Sequence, residues 1–213
     1  MMSSSPTVFV VDDDPAMRDS LRFLIGSVGL AVQCYASAEE FLSGYDPQAP
    51  GCIVLDVRMP GLSGLELQAR LRNDRFAPPV LLITGHGDIQ MAVRALKEGA
   101  LEFIEKPFSD QVLLEHIQKA IQSDAARRAE LADLVDIEER HDRLTARERE
   151  VFGLVVAGKP NKVIASDLGL SQKTVEVHRA HVMEKMRAES FADLVKLSVA
   201  LAQGGRAHDA EPR

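Results

Sequence analysis

Cys52-Ile53-Val54-Leu55-Asp56-Val57-Arg58-Met59-Pro60-Gly61 is an apolar run that ends on a carboxylate and passes into a Pro-Gly turn. A short continuous apolar run bounded by turn residues reads as a strand buried on both faces. Three other runs end in a similar way. Val8-Phe9-Val10-Val11 ends on Asp12 and Asp13, Val80 to Ile83 ends on Thr84, and Leu101 to Glu105 ends on Lys106-Pro107. Four strand ends thus deliver three acids, a hydroxyl and an ammonium. In an open parallel sheet the carboxyl ends of the strands form the ligand-binding edge.

The first half alternates strand runs, at 7–11, 31–36, 52–56, 79–84 and 101–105, with segments of helical periodicity. The helices have physical start and stop signals. Asp14 can cap ahead of Pro15, Ser37-x-x-Glu40 and Ser63-x-x-Glu66 are capping boxes, and Gly29 and Gly99 follow helical runs. Five βα units predict an α/β domain over residues 5–122 with a doubly wound, five-stranded parallel sheet. The segment 109–142 has no Pro or Gly and predicts one long helix. Its middle, Gln122 to Arg128, lacks large apolar residues, so 123–143 reads as a solvated helical linker. Thr145-x-x-Glu148 opens an all-α domain over 144–202. Four helices are expected there, with a tight Gly169-Leu170-Ser171 turn between the second and third, as in a helix-turn-helix. The aperiodic stretch 203–213 reads as a disordered tail.

With 213 residues, 46% of them hydrophobic, the chain can build real cores. It has neither an apolar stretch of membrane-spanning length nor a signal-peptide pattern, and Cys34 and Cys52 lie in strand-like runs. A cytoplasmic protein with free, buried thiols is the expectation. Charge is uneven: the net is −6 over 1–122, −3 over 123–143 and +2 over 144–213. An acidic front and a mildly basic back point to different partners.

The acids make a hard oxygen site of the kind Mg²⁺ takes. The strand-end set suits transfer of a phosphoryl group to Asp56, with Lys106 as a second cation and the Thr84 hydroxyl donating once phosphate is present. Each residue alone has a plainer reading. Asp14 is a helix cap, Asp12 or Asp13 a loop residue, and Lys106 a surface lysine; it is their conjunction that argues for a site. A phosphohydrolase with an aspartyl-phosphate would want an acid two residues after its nucleophile. Arg58 stands there, so a non-enzyme is expected.

Residues 5–122 resemble a two-component receiver domain of the response-regulator superfamily. The likeness rests on Val10-Val11-Asp12-Asp13-Asp14, Asp56-x-x-Met59-Pro60-Gly61, Thr84-Gly85 and Lys106-Pro107. The resemblance implies Asp56 as phosphoacceptor, with Thr84 and Lys106 assisting. It implies Mg²⁺ ligated by Asp13, Asp56 and the Arg58 carbonyl, with Asp12 acting through water. It also implies a cis peptide before Pro107 and an aromatic switch partner for Thr84. That partner falls on Phe103, which reads equally well as a core aromatic.

In the second domain the third helix is expected from Gln172 to about Met186. Lys173, Glu176, Val177 and Ala180 share one face there, while Val175, Val182 and Met186 turn to a core. Leu144-Thr145-x-Arg147-Glu148, Gly158-x-Pro160-Asn161-Lys162 and Thr174-Val175-Glu176-Val177-His178-Arg179-Ala180 resemble the LuxR-type DNA-binding domain. DNA contacts are expected from Asn161, Lys162, Lys173, Thr174, Glu176, Val177, His178, Arg179 and Lys185. Glu176 could accept from a cytosine amino group or pair with a neighbouring cation. These stretches, with Ile83-Thr84-Gly85-His86-Gly87-Asp88 and Phe103 to Phe108, resemble the FixJ group. That likeness implies a histidine kinase of the FixL kind, promoter DNA, RNA polymerase and phosphorylation-dependent homodimers. A regulator that binds DNA without phosphorylation, and a receiver acting only through protein partners, are the alternatives.

Overall fold

The computed structural model describes residues 5–72, 74, 76–85 and 89–208, without the side chains of 89 and 204–208. His86, Gly87 and Asp88 of the quoted motif therefore lie outside the described residues. Element order is β1 (Thr7–Val11), α1 (Pro15–Ser27), β2 (Ala31–Tyr35), α2 (Ala38–Gly44), β3 (Gly51–Asp56), α3 (Gly64–Leu71), β4 (Val80–Thr84), α4 (Ile89–Lys97), β5 (Glu102–Glu105) and α5 (Asp110–Asp142). Then follow α6 (Ala146–Val156), α7 (Asn161–Leu168), α8 (Gln172–Met186) and α9 (Phe191–His208). The chain divides into two compact units, Met1–Arg128 and Ala129–Arg213.

In the first unit all strands pair in parallel in the order β2-β1-β3-β4-β5. Alternate residues of the strands feed two apolar layers. Phe9, Val11, Ile53, Leu55 and Leu82 pack with Phe41 and Leu67 on one face. Val8, Val10, Val54, Leu81 and Ile83 pack with Ile25, Leu113 and Ile117 on the other. Burial on both faces explains why the strands read as continuous apolar runs. The capping signals act as expected: Ser37, Ser63 and Asp14 accept from the first-turn amides of α2, α3 and α1.

Two expectations about segment limits are corrected. The start of the 123–143 stretch is not a solvated linker. Asp124 is 1% exposed, and the first unit extends to Arg128. Asp124 accepts from the Gly51 amide (2.9 Å), Arg127 Nη2 (2.7 Å) and Arg128 Nε (2.7 Å). Arg128 also donates to the carbonyls of Pro47, Gln48, Ala49 and Phe76. The docking is polar and aimed at backbone, so it leaves no apolar periodicity in the sequence. The second correction is the tail, because α9 continues past Leu201 to His208. A Gly in a helix costs only about 1 kcal/mol, so Gly204-Gly205 need not stop it. Residues 209–213 lie outside the described residues.

The second unit is all-α with its own core. Leu144, Val151, Phe152, Val155, Ile164, Val175, Val182, Met186 and Leu194 are buried together. A full capping box at Thr145 and Glu148 opens α6. Gly169 ends α7 in the left-handed conformation (φ 64°), which lets the chain turn within two residues to Ser171, the N-cap of α8.

Candidate functional site

The strand-end residues meet at the carboxyl edge of the sheet because parallel pairing aligns their ends. Val11 pairs with Leu55, Asp56 with Ile83, and Thr84 with Glu105. The chain beyond each strand is tied to its neighbour, Val57 N–H donating to Ile83 O and Lys106 N–H to Thr84 O. Lys106 Nζ then reaches both acids, at 2.8 Å from Asp56 Oδ1 and 3.1 Å from Asp12 Oδ2. The remaining oxygens accept from backbone, Asp56 Oδ2 from the Arg58 amide (2.7 Å) and Asp12 Oδ1 from the Asp14 amide (2.9 Å). Asp12, Asp56 and Thr84 are buried, while Asp13 is exposed. The Lys106-Pro107 peptide is cis. Phe103 packs against the apolar layer that holds Leu82, partly buried.

Burial pushes the Asp12 carboxyl above its usual range, and the neighbouring Asp56 adds to the rise, against the pull of the Asp14 amide and Lys106. Burial lowers Lys106, but its bonds to Asp56 and Asp12 outweigh this and hold the ammonium above its ordinary value. Asp12 and Asp56 share one lysine and Asp13 follows in the chain, so the pocket keeps an excess of acids. That donor set fits a divalent oxygen-seeking cation. Gly64 keeps the loop close: a Cβ there would stand 2.1 Å from the Asp56 carbonyl oxygen.

In the second unit, α8 exposes Lys173, Glu176, Val177 and Ala180 and buries Val175, Val182 and Met186. This is a mixed polar face backed by a core, as a helix entering a DNA groove requires. Lys162 is exposed on α7. Arg179 donates to Asn161 Oδ1 (2.8 Å), joining α8 to α7, and the Thr174 hydroxyl lies 2.7 Å from Ser171 Oγ at the N-cap. Lys185 is engaged within the unit, 2.6 Å from Glu148 Oε2. His178 is half-buried.

Residues 8–118 match the family described as response regulator receiver domain, and 142–198 match bacterial regulatory proteins of the luxR family. The chain belongs to the two-component response regulators. This response regulator is 47% identical to the transcriptional regulatory protein FixJ of Rhizobium meliloti, over 91% of the chain and 95% of that protein. It is 46% identical to nodulation protein W of Bradyrhizobium diazoefficiens, over 93% and 88%. Among solved structures, the response regulator StyR aligns with a TM-score of 0.82 at 45% identity, over 92% of this chain and 98% of StyR. Full-length FixJ from B. japonicum aligns at 0.55 and 43% identity, over 93% and 98%. The response regulator is therefore FixJ-like, a transcription regulator with a LuxR-type DNA-binding domain. No helix among its described residues is long and apolar enough to cross a membrane.

Sequence reasoning about the response regulator missed the buried charge of Glu148, which it read only as half of a capping box. The Lys185 hydrogen bond, with the Thr145 amide and hydroxyl, outweighs burial and holds its carboxyl down to about 2 from an ordinary 4.5. A carboxyl depressed in the folded state stabilises the fold fully above its unfolded pKa and loses that contribution as pH falls towards the folded one. Between pH of about 4.5 and about 2, wild-type stability of the second unit is expected to fall more steeply than that of Glu148→Gln. Urea titrations followed by circular dichroism at several acid pH values check this; parallel slopes would refute it.

Proposed function

We propose that Asp56 is the phosphoacceptor of this response regulator, and that its phosphorylation by a sensor histidine kinase drives homodimerisation and promoter binding. The observation that carries the reading is the sharing of Lys106 between Asp56 and Asp12 at the edge where four strands end. A carboxylate oxygen of Asp56 attacks the phosphorus of a phosphohistidine, the P–N bond breaks, and the imidazole leaves and takes up a proton. Lys106 holds the carboxylate in place and stands ready to pair with a phosphoryl oxygen. Asp13, Asp56 and the Arg58 carbonyl would hold Mg²⁺, with Asp12 behind through water. The ion supplies neutralisation of charge on the phosphoryl oxygens. Thr84 and Phe103, beside the Lys106-Pro107 peptide, form the switch that reads the phosphate.

The face formed by α7 and α8 is the proposed DNA interface. Lys162, Lys173 and Arg179 position on phosphates, with Asn161 oriented by Arg179, while Glu176, Val177 and Thr174 face the groove; His178, half-buried with its ring near Glu148, turns from the groove towards α6. Lys185 supports α8 from behind through Glu148. Partners are a kinase of the FixL kind and RNA polymerase at the promoter, in the cytoplasm, with the gene control of the FixJ relatives in nitrogen fixation as the biology.

Two substitutions separate positioning from readout. Lys162→Ala is expected to weaken all DNA sequences about equally and to reduce the slope of log K against log salt by about 1. Glu176→Ala is expected to relax base preference at one position by about 1–3 kcal/mol. Fluorescence anisotropy with promoter and scrambled duplexes over a salt series measures both. Wild-type slopes and preferences in both variants would remove this face as the interface.

A further inference from the structure

Glu148 on α6 and His178 and His181 on α8 each offer one ligand atom, and the three atoms lie within 4.8 Å of one another. They form the one such group of three among the described residues. The two histidines are three residues apart, so their rings stand on one face of α8. Glu148 divides its oxygens. Oε2 accepts from the Thr145 amide (2.8 Å) and Lys185 Nζ (2.6 Å), whereas Oε1 faces His181 Nδ1 at 3.5 Å, long for a hydrogen bond. His178 Nδ1 is buried and has no hydrogen-bond partner. A buried ring nitrogen without a partner is costly, and a ligand that draws on its lone pair is one explanation.

Two imidazoles and a carboxylate are the donors a borderline-soft divalent metal takes, with a fourth position left for water. Mg²⁺ and Ca²⁺ prefer all-oxygen shells and would not compete here. Lys185 occupies Oε2 and leaves Oε1 for a one-oxygen bond. Its ammonium also opposes an incoming cation, which sets the affinity below that of a dedicated structural zinc site. We propose that the second unit binds one Zn²⁺ through Glu148, His178 and His181, clipping α8 to α6. The ion would hold the DNA-facing helix from its inner side, one residue from Arg179. This site is independent of phosphorylation at Asp56 and of DNA, and its test uses neither.

The full chain, stripped with chelator and kept in excess Mg²⁺, is titrated with Zn²⁺ by calorimetry. One equivalent is expected to bind, and binding is expected to weaken about tenfold or more in His181→Ala and in His178→Gln. His181 is half exposed, so its truncation spares the core and tests the site even where His178→Gln unfolds the unit. Lys185→Ala is expected to tighten binding, the reverse of what loss of a structural support alone would give. His116→Gln, in the first unit, is expected to change nothing. Co²⁺ in place of Zn²⁺ reports the donors: four-coordinate nitrogen–oxygen bands are expected without thiolate charge transfer, which excludes Cys34. Zn²⁺ binding of equal strength in wild type and His181→Ala, or no binding in wild type, would overturn the proposal.

Discussion

Asp56→Asn is expected to abolish the response of promoter affinity to a small-molecule phosphodonor such as acetyl phosphate. The substitution keeps the size of the side chain and an oxygen for the Arg58 amide, which donates to Asp56 Oδ2 at 2.7 Å. What it removes is the anionic oxygen proposed to attack phosphorus, together with the charge that Lys106 meets at 2.8 Å. Lys106 keeps its bond to Asp12 at 3.1 Å, so the pocket loses its proposed nucleophile without losing its frame. Coupling between an effector site and a binding site is worth typically about 1–3 kcal/mol, or roughly 5–150-fold in affinity. Wild-type protein with donor should tighten on promoter DNA within that range and shift to dimers in sedimentation velocity; Asp56→Asn should do neither. A variant that retains both responses would transfer the reading to the rival in which DNA binding is independent of phosphorylation.

The pocket was legible in the sequence because its residues sit at strand ends, and strand ends are marked locally. Asp56 follows Leu55, Thr84 follows Ile83 and Lys106 follows Glu105, each at the point where an apolar run stops. Parallel pairing then brings them to one edge without further information. The helix-turn-helix was legible for a similar reason: Thr145, Gly169 and Ser171 are local signals with a fixed geometric meaning. What stayed hidden depends on polar contacts across long separations. Arg128 donates to carbonyls some eighty positions earlier in the chain. A backbone carbonyl has no residue identity, so no spacing of side chains announces it. Lys185 and Glu148 illustrate the same limit. Lys185 reads as a DNA-facing cation by position on the helix, yet its ammonium lies against a carboxylate that the capping box had already explained. Periodicity places a side chain on a face; it does not say what waits there.

Asp124→Ala is expected to lower the stability of the first unit by about 3–5 kcal/mol, the range for breaking a buried ion pair by removing one partner. Asp124 is 1% exposed and accepts from the Gly51 amide, Arg127 and Arg128. Its loss strands a buried amide and leaves the Arg128 guanidinium, whose side chain is 17% exposed, among carbonyls with no counter-charge. The control is Asp133→Ala, an exposed acid on the same helix, for which a change within about 0.5 kcal/mol is expected. Tyr35 and Tyr45 are the two tyrosines, and both lie in the first unit. With no tryptophan in the chain, tyrosine fluorescence in a urea titration of the full chain reports that unit selectively. A midpoint for Asp124→Ala equal to that of Asp133→Ala would show that the contacts contribute nothing. The same strand separates this loss from the chemistry: Gly51, which donates to Asp124, opens β3, and Asp56 closes it. Four residues of fully buried, hydrogen-bonded strand stand between the two ends. In the folded fraction of Asp124→Ala, the rate of Asp56 phosphorylation by acetyl phosphate is therefore expected to match wild type while the urea midpoint falls. A drop in that rate equal to the one caused by Lys106→Ala would mean that the docked helix acts on the pocket itself, and that stability and phosphorylation are coupled along β3.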